Sequence, residues 1–223
     1  AKAVGEALAA GSIEVLFAVD ALDPVAVAAR ERGVEVLEVH EAVMARLTGT
    51  VTPQGLVAVA PFLDVALDAL PAHPRCVAVL HEVRDPGNAG SVLRAADAAG
   101  ADGVVFAGSS VDPYNEKAVR ASAGSLFHVP VVRGAGAEEA VRLLRARGCA
   151  VYAMAADGEV DLWEADLARP VAFLLGNEAR GLPADARMLA DASVRVPIRG
   201  RAESLNLAGA ATVCLFEWAR RNR

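Results

Sequence analysis

The chain has 223 residues, 54% of them apolar, which is enough to fill one large or two small cores. Its longest apolar stretch, 56–70, is broken by Pro61, Asp64 and Asp68 well short of the roughly 18 to 20 residues that span a bilayer, so no transmembrane helix is expected. The formal net charge of −6 excludes a generally basic, nucleic-acid-coating surface, but the acid is unevenly placed. Residues 1–72 hold 4 Lys+Arg against 10 Asp+Glu, leaving 22 − 4 = 18 against 28 − 10 = 18 for 73–223.

The sequence opens without a Met, a basic stretch or an apolar leader, and so reads as the interior of a longer chain. In the first segment VEVLEV and LVAVA have the composition of short strands. Between them and the start lies DPVAVAARERG, a helix with Asp23 as N-cap, Pro24 at its first position and Gly33 just past its end. A small α/β unit over 1–60 follows. The stretch 61–74, with three prolines, reads as a connector with one helical turn.

From residue 75 the spacing lengthens. CVAVLHEV, GVVFAG, FHVPVV, CAVYAMA, VAFLLG and SVRVPI are β-rich runs, separated by helical segments such as SVLRAADAAG and AEEAVRLLRARG. Nearly continuous apolar strands alternating with helices predict a parallel sheet covered on both faces, with ligand chemistry in the loops at the strand C-termini. The chain closes on a long amphipathic helix in SLNLAGAATVCLFEWARRNR, whose last turn carries Arg220, Arg221 and Arg223.

Three strand-to-helix loops hold more glycine and polar residues than packing requires. In HEVRDPGNAGSVLRAADAAG the chain turns at 85–87 and enters a helix near Asn88, with Gly87 and Gly90 allowing close backbone approach and Arg94 under two turns further on. Asn88 reads equally as a plain N-cap, and Arg94 as a solvated helix position. In FLLGNEARGLP a buried strand runs into Gly176, Asn177 and Glu178, the last also readable as a dipole partner of the helix after Pro183. In VRVPIRGRAESLNLAGAA, Ser204 is the expected N-cap of the final helix, and Asn206 follows.

Other chemistries find no support. Cys76, Cys149 and Cys214 are scattered and apolar-flanked, as core thiols are, and the four histidines lack metal-ligand spacing, so no metal is expected. The phosphate loop Gly-x-Gly-x-x-Gly of a nicotinamide enzyme is not found.

Taken in order, Asn-x-Gly-x-x-x-Arg at 88–94, Leu-Gly-x-Glu-x-x-Gly-Leu at 175–182 and Val-Pro-Ile-x-Gly-x-x-x-Ser-Leu-Asn at 196–206 resemble the three motifs of the SpoU/TrmH family of the SPOUT superfamily. The resemblance implies an α/β fold, with a SPOUT-type parallel-sheet catalytic domain at 75–223 that ends in a trefoil knot. Residues 1–60, ending in TGTVTPQGLVAVA, resemble more loosely the L30-like RNA substrate-binding domain that precedes it. The implied activity is transfer of a methyl group from S-adenosylmethionine to a ribose 2′-hydroxyl in RNA. Ribosomal RNA (23S) is favoured over tRNA because of the first segment, and a non-catalytic RNA-binding protein of the same fold is the alternative from another class.

By the same resemblance, Leu175, Gly176, Val196, Ile198 and Leu205 hold the cofactor, while Arg94, Asn88, Glu178, Ser204 and Asn206 carry catalysis. A guanidinium is almost always protonated, so Arg94 fits a phosphate clamp and alkoxide stabiliser better than a base. The family implies a cytoplasmic homodimer, with the final helix and Trp218 as interface material.

Overall fold

The computed structural model of the chain describes residues 2–48 and 52–222, so the Gly49–Val51 part of the L30-like stretch, Ala1 and Arg223 lie outside the described residues. It divides into two compact units, 1–63 and 64–223.

The first unit runs α1 (Lys2–Ala9), β1 (Val15–Ala18), α2 (Pro24–Glu31), β2 (Glu35–Glu38), α3 (Glu41–Thr48) and β3 (Leu56–Val59). Its sheet has the order β2-β1-β3, with β1 parallel to β2 and antiparallel to β3. Asp23 caps α2 by accepting from the Val25 N–H at 2.8 Å, and Gly33 follows the helix at φ +77°. In VEVLEV the alternation turns Val36 onto the core and leaves Glu35 and Glu38 in water. The sequence did not single out β1, α1 or α3. β1 is central in the sheet, and its Leu16 and Ala18 are fully buried.

The second unit begins inside the stretch read as a connector. Asp64 pairs with Arg133 at 3.0 Å, the Val65 N–H donates to the Val131 carbonyl at 2.8 Å, and Leu70, just past a 3-10 turn at Leu67–Ala69, is buried. Val65, Leu67 and Leu70 are apolar at the spacing needed to pack on the sheet, so burial pulls 64–70 onto this unit.

Its strands are β4 (Cys76–His81), β5 (Gly103–Ala107), β6 (Val131–Ala135), β7 (Ala150–Met154), β8 (Val160–Asp161), β9 (Val171–Leu175) and β10 (Ala192–Arg195). They form one parallel sheet in the order β6-β5-β4-β9-β7-β10-β8. The continuous apolar runs are explained by burial on both faces. In β4, Cys76, Ala78 and Leu80 enter one core while Val77 and Val79 enter the other; in β9, Phe173 and Leu174 divide the same way. All three cysteines are buried, and burial pushes the thiols up, Cys149 to about 11 and Cys214 to about 12.

The helices are α4 (Pro86–Ala99), α5 (Glu116–Ser122), α6 (Ala137–Ala146), α7 (Ala184–Met188) and α8 (Leu207–Arg221). Two expected strands are shorter than their apolar runs. FHVPVV becomes a 3-10 turn at Ser125–Phe127 before β6 starts at Val131, because Pro130 has no N–H to give a ladder. SVRVPI stops at Arg195, two residues before Pro197. Trp218 is 3% exposed within the chain, which removes it from the expected interface; the large apolar residue that α8 offers to solvent is Phe216, 46% exposed. Arg220 and Arg221 hold Glu217 at 2.7–2.8 Å and keep its carboxyl down at about 2.

Gly90 has a different reason from the one its loop implied. It lies inside α4 where α5 crosses, and a Cβ there would sit 2.2 Å from the Ala118 carbonyl oxygen and 2.7 Å from the Ala121 Cβ. The close approach is helix to helix. Backbone cannot yield as a flexible side chain does, so Gly90→Ala is expected to cost at least about 2 kcal/mol in urea unfolding, and an unchanged midpoint would contradict this packing.

Candidate functional site

The three loops leave β4, β9 and β10 on the C-terminal side of the sheet, and their polar side chains meet there. The Glu178 carboxylate accepts from the Arg84 N–H at 3.0 Å, the Asp85 N–H at 2.9 Å and the Asn88 Nδ2 at 3.2 Å. The Asn88 Oδ1 accepts from the Asn206 Nδ2 at 2.8 Å, and the Asn206 Oδ1 accepts from the Gly209 N–H at 2.8 Å. Glu178 accepts only, so this chain of donors and acceptors allows each amide one orientation. One network thus ties the second loop to the first and the first to the third.

Capping explains how the loops reach these positions and corrects three readings. The N-cap of α4 is Asp85, not Asn88: Asp85 accepts from the Asn88 N–H at 2.9 Å, with Pro86 at the first helical position. This frees the Asn88 side chain for the network. The N-cap of α8 is Asn206 rather than Ser204, since the acceptor must lie three residues before the Gly209 N–H. Glu178 faces the start of α4, not of α7, because β9 lies beside β4. Asp85 also takes a hydrogen bond from the Lys117 Nζ at 2.9 Å, and that contact, more than the backbone N–H, holds its carboxyl below the ordinary value.

Burial would raise the Glu178 carboxyl, but the Arg84 and Asp85 N–H groups and Asn88 outweigh it and keep it below its usual 4.5. A carboxyl whose pKa is lowered by folding stabilises the native state fully above its unfolded value and loses that contribution as pH falls through the lowered one. The stability gap between wild type and Glu178→Gln is therefore expected to be largest above about pH 4.5 and to shrink on acidification below it. Urea unfolding at a series of pH values checks this; a gap that widens toward acid is incompatible with the network.

Beside the network lies a cavity of about 480 Å³, within the range of small-ligand sites. It opens at the ends of the adjacent strands β9, β7 and β10, and all five residues expected to hold a cofactor, Leu175, Gly176, Val196, Ile198 and Leu205, line it. Glu178 and Ser204 line it too. Asn88 is hydrogen-bonded to Glu178, and Asn206 is joined to it through Asn88. Arg94 is not on the wall. Six residues past Asn88 on α4 it points about 120° away around the helix, into solvent, with no hydrogen-bond or ionic partner among the described residues.

The sequence reading missed part of the wall. Met154 contributes from the end of β7, Ala155, Ala156 and Asp157 from the β7–β8 loop, and Arg187 from α7. Arg187 spans Asp157 Oδ2 and Ser193 Oγ, both at 3.0 Å, and its hydrogen bond lowers the Asp157 carboxyl. The signal was the Asp157-Gly158 turn directly after a strand, where ligand loops sit in parallel sheets. Asn177 was named with its loop but given no role. Its amide donates to the Glu82 carbonyl at 2.9 Å, and Glu82, at the unusual φ of +54°, pairs with Arg180 at 3.3 Å on the rim. Among the described residues no group of three His, Cys, Asp or Glu could hold a metal ion, and no helix is long and apolar enough to cross a membrane.

This architecture has close counterparts. Residues 75–216 match the model of the SpoU rRNA Methylase family, and 1–66 match that of an RNA 2′-O ribose methyltransferase substrate-binding domain. A 23S rRNA uridine 2′-O-methyltransferase of Streptomyces viridochromogenes is 40% identical over 75% of this chain and 61% of its own length. A 23S rRNA guanosine 2′-O-methyltransferase of Bacillus subtilis is 36% identical over 83% of this chain and 73% of its own. The chain therefore spans about three-fifths to three-quarters of these two relatives. The crystal structure of an AdoMet-bound rRNA methyltransferase from Sinorhizobium meliloti superposes with a TM-score of 0.87 at 40% identity, covering 99% of this chain and 85% of that one. A structure described as giving insight into 2-OH methylation of C/U34 on tRNA reaches a TM-score of 0.59 at 31% identity, covering 66% of this chain and 89% of its own.

Proposed function

The chain belongs to the SpoU rRNA methylase family, and from that membership we propose that it transfers a methyl group from S-adenosylmethionine to a ribose 2′-hydroxyl in ribosomal RNA, most narrowly 23S rRNA. The observation that carries the reading is the joining of all three motif loops, by hydrogen bonds or along one wall, around a cavity of cofactor size. Ribosomal RNA is favoured over tRNA because the rRNA relative matches both units, whereas the tRNA-related structure covers 66% of the chain. A protein acting on such RNA works in the cytoplasm.

The cavity suits the cofactor. Leu175, Val196, Ile198 and Leu205 give apolar walls for a flat base, Gly176 brings backbone to the surface, and Glu178, Asp157 and Arg187 add a few polar groups. When bound, the cofactor supplies an electrophilic methyl group. The attacking 2′-hydroxyl is a weak acid, so the protein has to hold it in line and stabilise the charge that develops on its oxygen. A guanidinium with no partner of its own, as Arg94 has, suits a nearby phosphate and the developing alkoxide. Glu178, Asn88 and Asn206 set the shape of the mouth, and Ser204 on its wall is placed to meet the ribose. Because Arg94 faces away from the cavity of its own chain, a homodimer in which one protomer's Arg94 serves its partner's cavity accounts for it best. The family's trefoil knot fits the strand order: β10 lies between β7 and β8, which a short loop joins, and Gly158 in that loop has only 2.5 Å for a Cβ against the Val194 backbone.

Ribose-methylation mapping of total RNA with and without the gene tests the proposal. Loss of one 2′-O-methyl site in rRNA is expected; loss of a tRNA site would move the substrate, and an unchanged map would remove the activity.

A further inference from the structure

Net charge hides where the uncompensated cations lie. The first unit is acidic: 1–63 holds 4 Lys+Arg against 8 Asp+Glu. The second is nearly balanced, with 22 − 4 = 18 against 28 − 8 = 20, and most of its cations are spent internally. Each described Lys or Arg there is bonded to a carboxylate or to backbone carbonyls, apart from Arg84, Arg94, Arg142, Arg199 and Arg201. Four of those five belong to the first and third motif loops and the helix that the first loop enters.

Three of them do not line the cavity but adjoin residues that do. The Arg84 N–H is bonded to Glu178, which lines the cavity, while its exposed side chain is free. Arg199 and Arg201 are exposed in 196–205, between Ile198 and Ser204, which both line the cavity. The Asn206–Asn88 bond at 2.8 Å draws the end of that loop to the start of α4, four residues from Arg84. Free, exposed arginines therefore sit in both of the loop segments that this network joins beside the cavity, with Glu203 as an unpaired carboxylate of the third loop.

We infer that Arg84, Arg199 and Arg201 form a phosphate-binding rim that holds the RNA backbone across the cavity mouth. This rests on the RNA reading above. Guanidinium forks suit phosphate oxygens, and unpaired ones release no intramolecular partner on binding. Arg142, equally free, lies on α6 against the other core, which makes it a matched control.

The test is the salt dependence of binding of a fluorescent single-stranded RNA of about 20 nucleotides to the full chain. Each phosphate contact removed should flatten the slope of log K against log salt by about 0.7. The triple variant Arg84→Ala/Arg199→Ala/Arg201→Ala should lose about 2 from that slope and keep wild-type S-adenosylmethionine affinity; the triple Lys variant should keep most of the slope, and Arg142→Ala all of it. A wild type that binds RNA with a slope the triple Ala variant retains overturns the rim and leaves the RNA reading intact. A slope lost equally in Arg142→Ala also overturns it. Wild type that binds no RNA at all overturns the RNA reading, and the rim with it.

Discussion

Replacing Gly176 with Ala is expected to abolish high-affinity cofactor binding and to lower stability together. Gly176 directly follows β9 and begins the turn that returns at Gly181, where Asn177 and Gly181 exchange backbone hydrogen bonds at 3.0 and 2.8 Å. A Cβ on Gly176 would lie 2.3 Å from the Gly181 carbonyl carbon and 2.4 Å from the Leu182 nitrogen, distances at which backbone must move. That backbone is the cavity wall from Leu175 to Leu182, and it carries Glu178. Even a methyl group therefore does its damage by displacing the turn rather than by filling the cavity. A loss of at least 10-fold in S-adenosylmethionine affinity is expected, with an overpacking cost of about 1–3 kcal/mol. Calorimetric titration together with urea unfolding checks both; wild-type cofactor affinity in a destabilised variant would separate the turn from the site.

Arg94→Ala is expected to do the opposite, lowering methyl transfer by about 10²–10³-fold, the usual effect of losing one donor to a developing negative charge. Cofactor affinity should stay within a few-fold of wild type, because Arg94 is absent from the cavity wall of its chain. Its exposed position, without intramolecular partners, also predicts little change in the unfolding midpoint. Single-turnover methylation and calorimetry read the two quantities separately. An equal fall in cofactor binding would reassign Arg94 to the cofactor.

These two residues show what the sequence holds and what it does not. The loops that hold them stood out in the sequence, but the contacts made by the glycines and amides there did not. Gly90 looked like a ligand-approach glycine and serves a helix crossing, since only the packed structure brings Ala118 of α5 against α4. Asn88 read equally as a cap or as a site residue, and its side chain joins three loops because Asp85 takes the cap.

The resemblance of the motif loops named the five apolar or glycine positions of the cavity, whereas chain order and periodicity by themselves determined the alternating α/β pattern and the parallel sheet buried on both faces. Those depend on local propensity and on burial averaged along each strand, which a sequence records directly. Only the tertiary structure decided that β9 lies between β4 and β7, and therefore that Glu178 meets Arg84, Asp85 and Asn88, 90 to 94 residues away. It also decided that Asp157 and Arg187 close the wall, and that Arg84, Arg199 and Arg201 remain free while most other cations of the unit are held. Strand order and ion pairing are long-range choices, set by which surfaces bury best against each other, and no local pattern encodes them.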